Sequence, residues 1–187
     1  MMLVESNMLP LETLAPDFKL INCIDQQAWS LSQQTNNQAV VVIFMCNHCP
    51  YVVHIIEGLV RCANDYMDQG IAFVAINAND VMQYPDDSPE KMTVFAQQYG
   101  IPFPYCFDEA QAVAKAYQAA CTPDLFVFDE RHQCVYRGRF DNSTPGNGQP
   151  VTGVDLRQAL DRVLSGQPYL EVQLPSMGCN IKWRDTP

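Results

Sequence analysis

The chain has 187 residues, of which 48% are hydrophobic and 17% are charged, and its formal net charge is −10. This length predicts one globular domain, and the excess of acidic groups argues against nucleic acid or an anionic membrane surface as a partner. Residues 1–18 contain neither a secretory apolar segment nor a membrane span, so we expect a soluble cytoplasmic protein.

A hairpin and a buried strand are predicted first. The segments FKLINC (18–23) and AWSL (28–31) alternate in polarity around a short turn, which is typical of hairpin strands. After a polar loop, AVVVIFM (39–45) is a continuous apolar run rich in β-branched residues. Such a run predicts a strand that is covered on both faces.

The spacing of the apolar residues becomes helical soon after this strand. From Val52 onward they fall on one side of a helix that Gly70 ends. Cys46 and Cys49 therefore stand at a strand-to-helix junction. We expect Cys46 at the N-terminus of the helix and Cys49 one turn further in.

A second strand and helix follow in the same order. IAFVAIN (71–77) predicts another buried strand. Beyond a polar loop, Ser88 is expected to cap a helix that begins at Pro89 and ends at Gly100.

The rest of the chain predicts a short helix, a hairpin and a last helix. Asp108 and Gln111 resemble a capping box for the short helix. LFVFDERHQCVYRGRF (125–140) predicts two antiparallel strands, and Asp155 is expected to cap the last helix. The tail, residues 167–187, has no clear element.

This order of elements predicts an α/β fold in which helices flank a central mixed sheet. An N-terminal β-hairpin and an extended C-terminal tail are added to it. We expect the whole chain, 1–187, to form one domain, with its core at about 15–166.

The sequence CNHCP (46–50) carries the clearest chemical signal. A thiol at a helix N-terminus meets unpaired N–H groups and the positive end of the helix dipole, which favour the thiolate. His48 adds a hydrogen-bond donor beside Cys46, and Pro50 is tolerated in the first helical turn. The spacing of Cys46 and Cys49 therefore predicts a redox couple that closes and opens a disulfide.

Neither a metal site nor a cofactor is predicted. Structural zinc sites use two spaced pairs of cysteine or histidine, and no second close pair follows Cys49. His48 and His54 are the nearest further ligands, so incidental binding of a soft metal stays open as an alternative.

Two distant motifs, CNHCP after a buried strand and CTPDLFVFD (121–129), together resemble the thioredoxin-fold superfamily. Thr122 and Pro123 correspond to the place where those proteins carry a cis-proline that faces the disulfide. The resemblance implies that the backbone of Thr122 pairs with the substrate. More narrowly, the chain looks like the peroxiredoxin-like branch of the redoxin (AhpC/TSA) family, from about Ala15 to Trp183. The segments that carry this likeness are CNHCPYV, AACTPD, YRGRFD, PGNGQPVTG and PSMGCNIKW.

The chain also departs from the better-known members of that superfamily. Peroxiredoxins have a threonine three residues before the peroxidatic cysteine and an arginine that activates peroxide, where this chain has Cys46 and Pro123. Arg137 and Arg139 lie in the following strand. Thioredoxins have an acid in the preceding strand and a tryptophan before the first cysteine, where this chain has apolar residues and Met45.

The leading hypothesis is a thiol-disulfide oxidoreductase. Cys46 attacks a substrate disulfide, Cys49 displaces the product, His48 tunes Cys46, and Thr122 with Pro123 docks the substrate. The expected partners are a disulfide-bearing protein or a small thiol or disulfide, together with an upstream thiol reductant.

Two alternatives belong to other classes. In a thiol peroxidase, a hydroperoxide would oxidise Cys49 or Cys46 to a sulfenic acid, which then condenses with Cys121 or Cys179. In a metal-binding or redox-sensing protein, the same cysteines would act without turnover.

For Cys121, a redox relay and a packing role both stay open. Cys179 is either a resolving cysteine or a thiol that packs under Trp183. The other cysteines are expected to pack as small apolar groups: Cys23, Cys62, Cys106 and Cys134.

Overall fold

The computed structural model describes residues 2–184, which form ten strands and four helices. The strands are β1 (Leu3–Glu5), β2 (Lys19–Ile21), β3 (Ala28–Ser30), β4 (Ala39–Phe44), β5 (Ile71–Asn77), β6 (Tyr105–Phe107), β7 (Cys121–Thr122), β8 (Asp124–Asp129), β9 (Cys134–Gly138) and β10 (Met177–Asn180). The helices are α1 (Pro50–Met67), α2 (Pro89–Tyr99), α3 (Ala112–Ala116) and α4 (Val154–Leu164). Among them, no helix is both long and apolar enough to cross a membrane.

The central sheet has five strands in the order β6-β5-β4-β8-β9. Strands β6, β5 and β4 run parallel to one another, and β8 and β9 continue the sheet in antiparallel pairing. Strands β2 and β3 form the predicted N-terminal hairpin. The α/β fold with a central mixed sheet flanked by helices is therefore confirmed.

Strand β4 lies in the middle of this sheet because both of its faces are apolar. Val41 and Ile43 join the core that α1, α2 and α4 cover, and Val40, Val42 and Phe44 join the core on the opposite face. All five are at most 1% exposed. Burying a side chain of this kind contributes about 1.5–3 kcal/mol, so the end of β4 is a rigid support for the residues that follow it.

The C-terminal tail contains a strand that the sequence did not predict. Strand β10 lies between β1 and β7 in a separate three-stranded antiparallel sheet. Cys179 pairs with Leu3 on one side and with Thr122 on the other. Gly178 permits this close approach, because a β-carbon at that position would collide with the Thr122 carbonyl oxygen.

Helix α1 begins later than predicted. Its N-cap is Cys49, with extended backbone angles (φ −72°, ψ 120°), and Pro50 is its first residue. A residue before proline is held out of the helical conformation by the proline ring, which explains this start. The expectation that Cys46 is at the helix N-terminus is therefore wrong, since Cys46 lies three residues before the N-cap.

The start of α3 matches the capping prediction only in part. The Asp108 carboxylate accepts hydrogen bonds from the N–H groups of Ala112 and Ala114. Gln111 is not the second half of a capping box, because its side-chain amide donates instead to the carbonyl oxygens of Ala78 and Lys182.

Helix α4 also starts differently from the prediction. Its N-cap is Gly153 (φ 68°), which adopts a left-handed conformation that suits glycine. Asp155 lies in the first turn of the helix, where its carboxylate accepts a hydrogen bond from Arg139 Nε at 2.6 Å. At the N-terminus of the helix, the Asp141 carboxylate accepts hydrogen bonds from the backbone N–H groups of Thr152 and Gly153.

Candidate active site

The two cysteines of the CNHCP motif lie in the loop that joins β4 to α1, at the carboxyl end of the central sheet. Cys46 is 1% exposed and Cys49 is 0% exposed. Because β4 and β5 are parallel neighbours, the loops that follow them meet at the same edge of the sheet. The turn that ends at Asp87, in the loop after β5, therefore lies beside the cysteines.

Cys46 is surrounded by groups that can hydrogen-bond to its sulfur. Its Sγ lies 3.5 Å from the Thr122 hydroxyl oxygen and 4.0 Å from His48 Nδ1, and it also contacts the Cys49 thiol. The contact with Cys49 and burial both raise the pKa of Cys46 well above its usual range. At rest Cys46 therefore carries its proton.

His48 forms a close ion pair with Asp87. His48 Nδ1 lies 2.6 Å from Asp87 Oδ2, and this hydrogen bond raises the pKa of His48, against an opposing effect of burial. The His48 side chain is 19% exposed, whereas that of Asp87 is fully buried. The imidazolium charge is thus held beside Cys46 by a carboxylate that water cannot screen.

The orientation of Asp87 is fixed by several hydrogen bonds. Its carboxylate accepts the N–H of Asn47 at 2.8 Å and the side-chain amide of Asn79 at 2.8 Å. Asn77 donates to its backbone carbonyl oxygen at 2.8 Å. A buried charge with this many donors keeps one position, so the distance from His48 to Cys46 is also constrained.

Cys49 is fully buried, like Cys46. Its Sγ lies 3.0 Å from the Thr122 carbonyl oxygen and 2.8 Å from the Sγ of Cys179, a separation longer than the disulfide bond of about 2.05 Å. Hydrogen bonds from Cys46 and then from Cys179 lower the pKa of Cys49, and the N–H of Val52 at the start of α1 acts in the same direction. Burial opposes this effect.

When the Cys46–Cys49 pair has lost one of its two protons, the negative charge therefore lies on Cys49. The remaining proton stays on Cys46, which donates it to Cys49 in a hydrogen bond. This differs from the expectation that the helix N-terminus favours the thiolate on Cys46. The first cause is the hydrogen bond between the two thiols, and the Val52 N–H at the start of α1 adds a smaller effect in favour of the Cys49 thiolate.

The Thr122–Pro123 peptide bond is cis, as the resemblance implied. The backbone edge of Thr122, however, is paired within the chain by Cys179 of β10. A cavity of about 230 Å³ lies next to Pro123 and is also lined by Tyr51 and Ile55.

The remaining cysteines are buried as expected. Burial raises the pKa of Cys121 above its usual range, and its sulfur contacts the Pro123 carbonyl oxygen at 3.5 Å. Since side chains alternate along a strand, Cys121 points away from the face on which Thr122 meets Cys46. Burial likewise raises the pKa of four others, to about 11 for one and about 12 for the rest: Cys23, Cys62, Cys106 and Cys134.

Asp87 is the site residue that the sequence reasoning missed. In the loop YPDDSPE it belongs to an acidic run that is typical of a groove rim or of a solvated helix cap. The structure divides those roles, since Ser88 caps α2 and Asp87 turns inward. The useful signal was topological, because loops after parallel neighbouring strands lie together.

The side chains of Cys46, His48 and Asp87 could together hold a soft metal ion. Ligand atoms of Cys46, His48 and Asp87 lie within 4.8 Å of one another, and this is a mixed S, N and O donor set that zinc accepts. Binding there would require His48 to give up its hydrogen bond to Asp87.

Two arginines considered for peroxide activation are engaged elsewhere. The Arg137 guanidinium donates to the Leu9 carbonyl oxygen at 2.7 Å and to the Gln173 side chain at 2.7 Å. Arg139 is paired with Asp155. Neither side chain is directed to Cys46 by these contacts.

Comparison with known proteins identifies the family of this chain. A family model described as Redoxin matches residues 10–154. The crystal structure of an uncharacterised conserved protein from Geobacillus kaustophilus is 55% identical, with a TM-score of 0.98 over 100% of this chain and 99% of that one. A thiol:disulfide interchange protein of the thioredoxin family from Chlorobium tepidum is 18% identical, with a TM-score of 0.64 over 82% of this chain and 97% of its own, and shows a shared thioredoxin-like fold.

A curated relative is more distant. The thiol-disulfide oxidoreductase ResA of Halalkalibacterium halodurans is 23% identical over 103 residues. The match covers 55% of this chain and 54% of that protein, so the chain spans about half the length of the curated relative it matches.

Proposed function

The chain belongs to the redoxin family, and on that premise we propose that it is a thiol-disulfide oxidoreductase with Cys46 and Cys49 as its redox couple. The observation that supports this most directly is the contact between the two thiols beside the N-cap of α1, with the His48–Asp87 ion pair next to Cys46. A proton hydrogen-bonded between the two thiols and a nearby fixed positive charge are what thiol exchange requires at neutral pH.

The first step forms a mixed disulfide. Cys46 passes its proton to the Cys49 thiolate and, as a thiolate facing the His48 charge, attacks one sulfur of the substrate disulfide. A new bond joins Cys46 to that sulfur, the substrate S–S bond breaks, and the second sulfur leaves as a thiolate that takes a proton from solvent. We assign the attack to Cys46 because its sulfur lies 4.0 Å from Nδ1 of His48, whose side chain is 19% exposed.

The second step closes the internal disulfide. Cys49 loses its proton, attacks the Cys46 sulfur and displaces the remaining part of the substrate as a thiolate. The substrate has then gained two electrons and the couple has lost two. An upstream thiol reductant would restore the two thiols, and the same steps in reverse would oxidise a dithiol substrate.

Docking is proposed to use Pro123 rather than the backbone of Thr122. Cys179 already pairs with the Thr122 backbone, whereas the Thr122 hydroxyl faces Cys46. The cavity beside Pro123 offers space for one part of a small disulfide or of a protein segment that bears one.

Single-cysteine variants test this proposal. With hydroxyethyl disulfide and oxidised glutathione as probes, Cys46→Ser should lower the exchange rate by at least about 100-fold, because serine is a poor nucleophile here. Cys49→Ser should trap the probe on Cys46, visible as a mass increase of the intact protein. Cys134→Ser, a buried thiol in β9, is the matched control and should react like the parent. Undiminished exchange by Cys46→Ser would refute the assignment of the couple.

A second candidate function is supported by one observation, the cluster of Cys46, His48 and Asp87. If the protein binds metal in place of exchanging thiols, it should retain near one equivalent of zinc or copper through dialysis against a weak chelator. Asp87→Asn should abolish that retention. Loss of metal without loss of exchange would leave the oxidoreductase as the function.

A further inference from the structure

A third sulfur lies against the redox couple. Cys179, on strand β10, is 130 residues from Cys49 in sequence, yet the two Sγ atoms are 2.8 Å apart. Cys49 therefore contacts Cys46 on one side and Cys179 on the other.

The backbone of β10 fixes this contact. Pairing with β1 on one side and with β7 on the other holds the strand, and Cys179 stands opposite Thr122 in the register. After the strand, the N–H of Ile181 donates to the Ala120 carbonyl oxygen at 3.1 Å, and that of Lys182 donates to the Asn79 side chain at 2.8 Å. These contacts hold the Cys179 sulfur in one position against Cys49.

We propose that Cys179 is a third redox residue, which takes over the disulfide from Cys46 by exchange at Cys49. The inference rests on the function proposed above. In the exchange, the Cys179 sulfur attacks the Cys49 sulfur of the Cys46–Cys49 disulfide. The Cys49–Cys179 bond forms, the Cys46–Cys49 bond breaks, and the proton lost by Cys179 is taken up by Cys46. No electrons enter or leave the protein, so the step needs no further reactant.

The exchange regenerates the thiol of Cys46 while the protein still holds one disulfide. Cys46 is the cysteine next to the His48–Asp87 pair, so the oxidised protein would keep its attacking group. Because the Cys46–Cys49 disulfide is the bond that Cys179 attacks, this step follows the closure by Cys49.

Cys121 provides the comparison within the same sheet. It is as deeply buried as the couple and is next to Thr122 in β7, but its sulfur contacts the Pro123 carbonyl oxygen. We therefore assign Cys121 to packing, and Cys121→Ser serves as the control for Cys179→Ser.

Disulfide mapping of the full chain tests the proposal. The reduced protein is oxidised with one equivalent of hydroxyethyl disulfide, sampled over time and quenched in acid. It is then alkylated in denaturant, digested with pepsin at low pH and mapped by mass spectrometry. We expect the Cys46–Cys49 bridge to appear first and the Cys49–Cys179 bridge to replace it, as alkylation of Cys46 recovers. Cys121→Ser should give the same course, and Cys179→Ser should stop at the Cys46–Cys49 bridge.

The outcomes are distinguishable. A stable Cys46–Cys49 bridge in the parent protein, with no Cys49–Cys179 peptide at any time, would overturn the role of Cys179 and leave the proposed function intact. Absence of both bridges would overturn both. These results are decided with the parent protein alone, so the proposal can still be refuted if Cys179→Ser does not fold. Cys179→Ala is a second variant for the same comparison.

Discussion

Among single residues, Asp87 has the largest effect on the charge of His48. It is fully buried, its carboxylate is held by backbone and side-chain amides, and it lies 2.6 Å from His48. Because an adjacent carboxylate favours the protonated imidazole, the charge beside Cys46 persists to a higher pH than an isolated histidine would allow.

We expect Asp87→Asn to lower the pKa of His48, because the replacement removes the negative charge but keeps the shape. His48 would then lose its charge at a lower pH, whereas removal of the Asp87 charge by itself lowers the pKa of Cys46. We expect the loss of the imidazolium to outweigh the second effect, because Asp87 is the first cause of the raised pKa of His48 but ranks below the Cys49 contact and burial for Cys46. Near pH 7 thiol exchange by Cys46 should therefore slow by about tenfold, the effect of losing about 1.4 kcal/mol. The chain has three histidines, so NMR titration of their ring protons measures the change directly.

Asp86→Asn is the matched control for this prediction. Asp86 is the neighbouring residue and is exposed, so its replacement should leave the titration of His48 unchanged. An unaltered His48 titration in Asp87→Asn would contradict the assigned ion pair, and a wild-type exchange rate would contradict the prediction that the loss of the imidazolium outweighs the lowered pKa of Cys46.

The residues of the candidate site differ in how readily the sequence predicts them. Cys46, His48 and Cys49 are contiguous, and their spacing alone indicates exchange chemistry. Asp87 is distant in sequence and belongs to an acidic run that is also typical of a solvated loop, so only the parallel pairing of β4 and β5 brings it near. Cys179 offered no local pattern, since its place depends on pairing between distant strands.

Among the elements, strand β10 is the one that joins the tail to the site. It closes the backbone edge of Thr122 and positions Cys179 against Cys49. Its closeness to β7 depends on Gly178, where a β-carbon has no room beside the Thr122 carbonyl oxygen.

Gly178→Ala should therefore displace β10 from β7. We expect a loss of roughly 1–3 kcal/mol in the free energy of unfolding, which is typical of overpacking, measured by urea denaturation. The same change should abolish the Cys49–Cys179 bridge in the mapping experiment but leave the Cys46–Cys49 bridge. Met177→Ala alters an exposed side chain of the same strand and should change the stability by less than about 0.5 kcal/mol. Equal stability of the two variants would show that the close approach at Gly178 is not required.

Element prediction succeeded where the hydrophobic pattern was long. Strands β4 and β5 have six and seven residues, and their apolar runs identify them. Strands β1, β7 and β10 have two to four residues each and exist only through pairing with one another. The start of α1 could have been predicted from Pro50, because the restriction on the preceding residue is a local one.

For the whole molecule, the two cores on either face of the central sheet explain why the five-stranded sheet could be predicted. The three-stranded sheet of β1, β10 and β7 could not be predicted. The five-stranded sheet follows from alternating strands and helices with continuous apolar runs. The three-stranded sheet joins residues 3–5, 121–122 and 177–180, and contacts between such distant segments leave no periodic signal in the sequence.

The burial of both cysteines has a kinetic consequence. With Cys46 and Cys49 at most 1% exposed, a reagent reaches them only after a transient opening of the molecule. Under native conditions the rate of alkylation by iodoacetamide should level off at high reagent concentration, at a value equal to the opening rate. In denaturant it should rise in proportion to concentration. A linear dependence in the native protein would mean that the thiols are reached without opening. If the rate does level off, the frequency of opening sets the upper limit of turnover, whichever disulfide is the substrate.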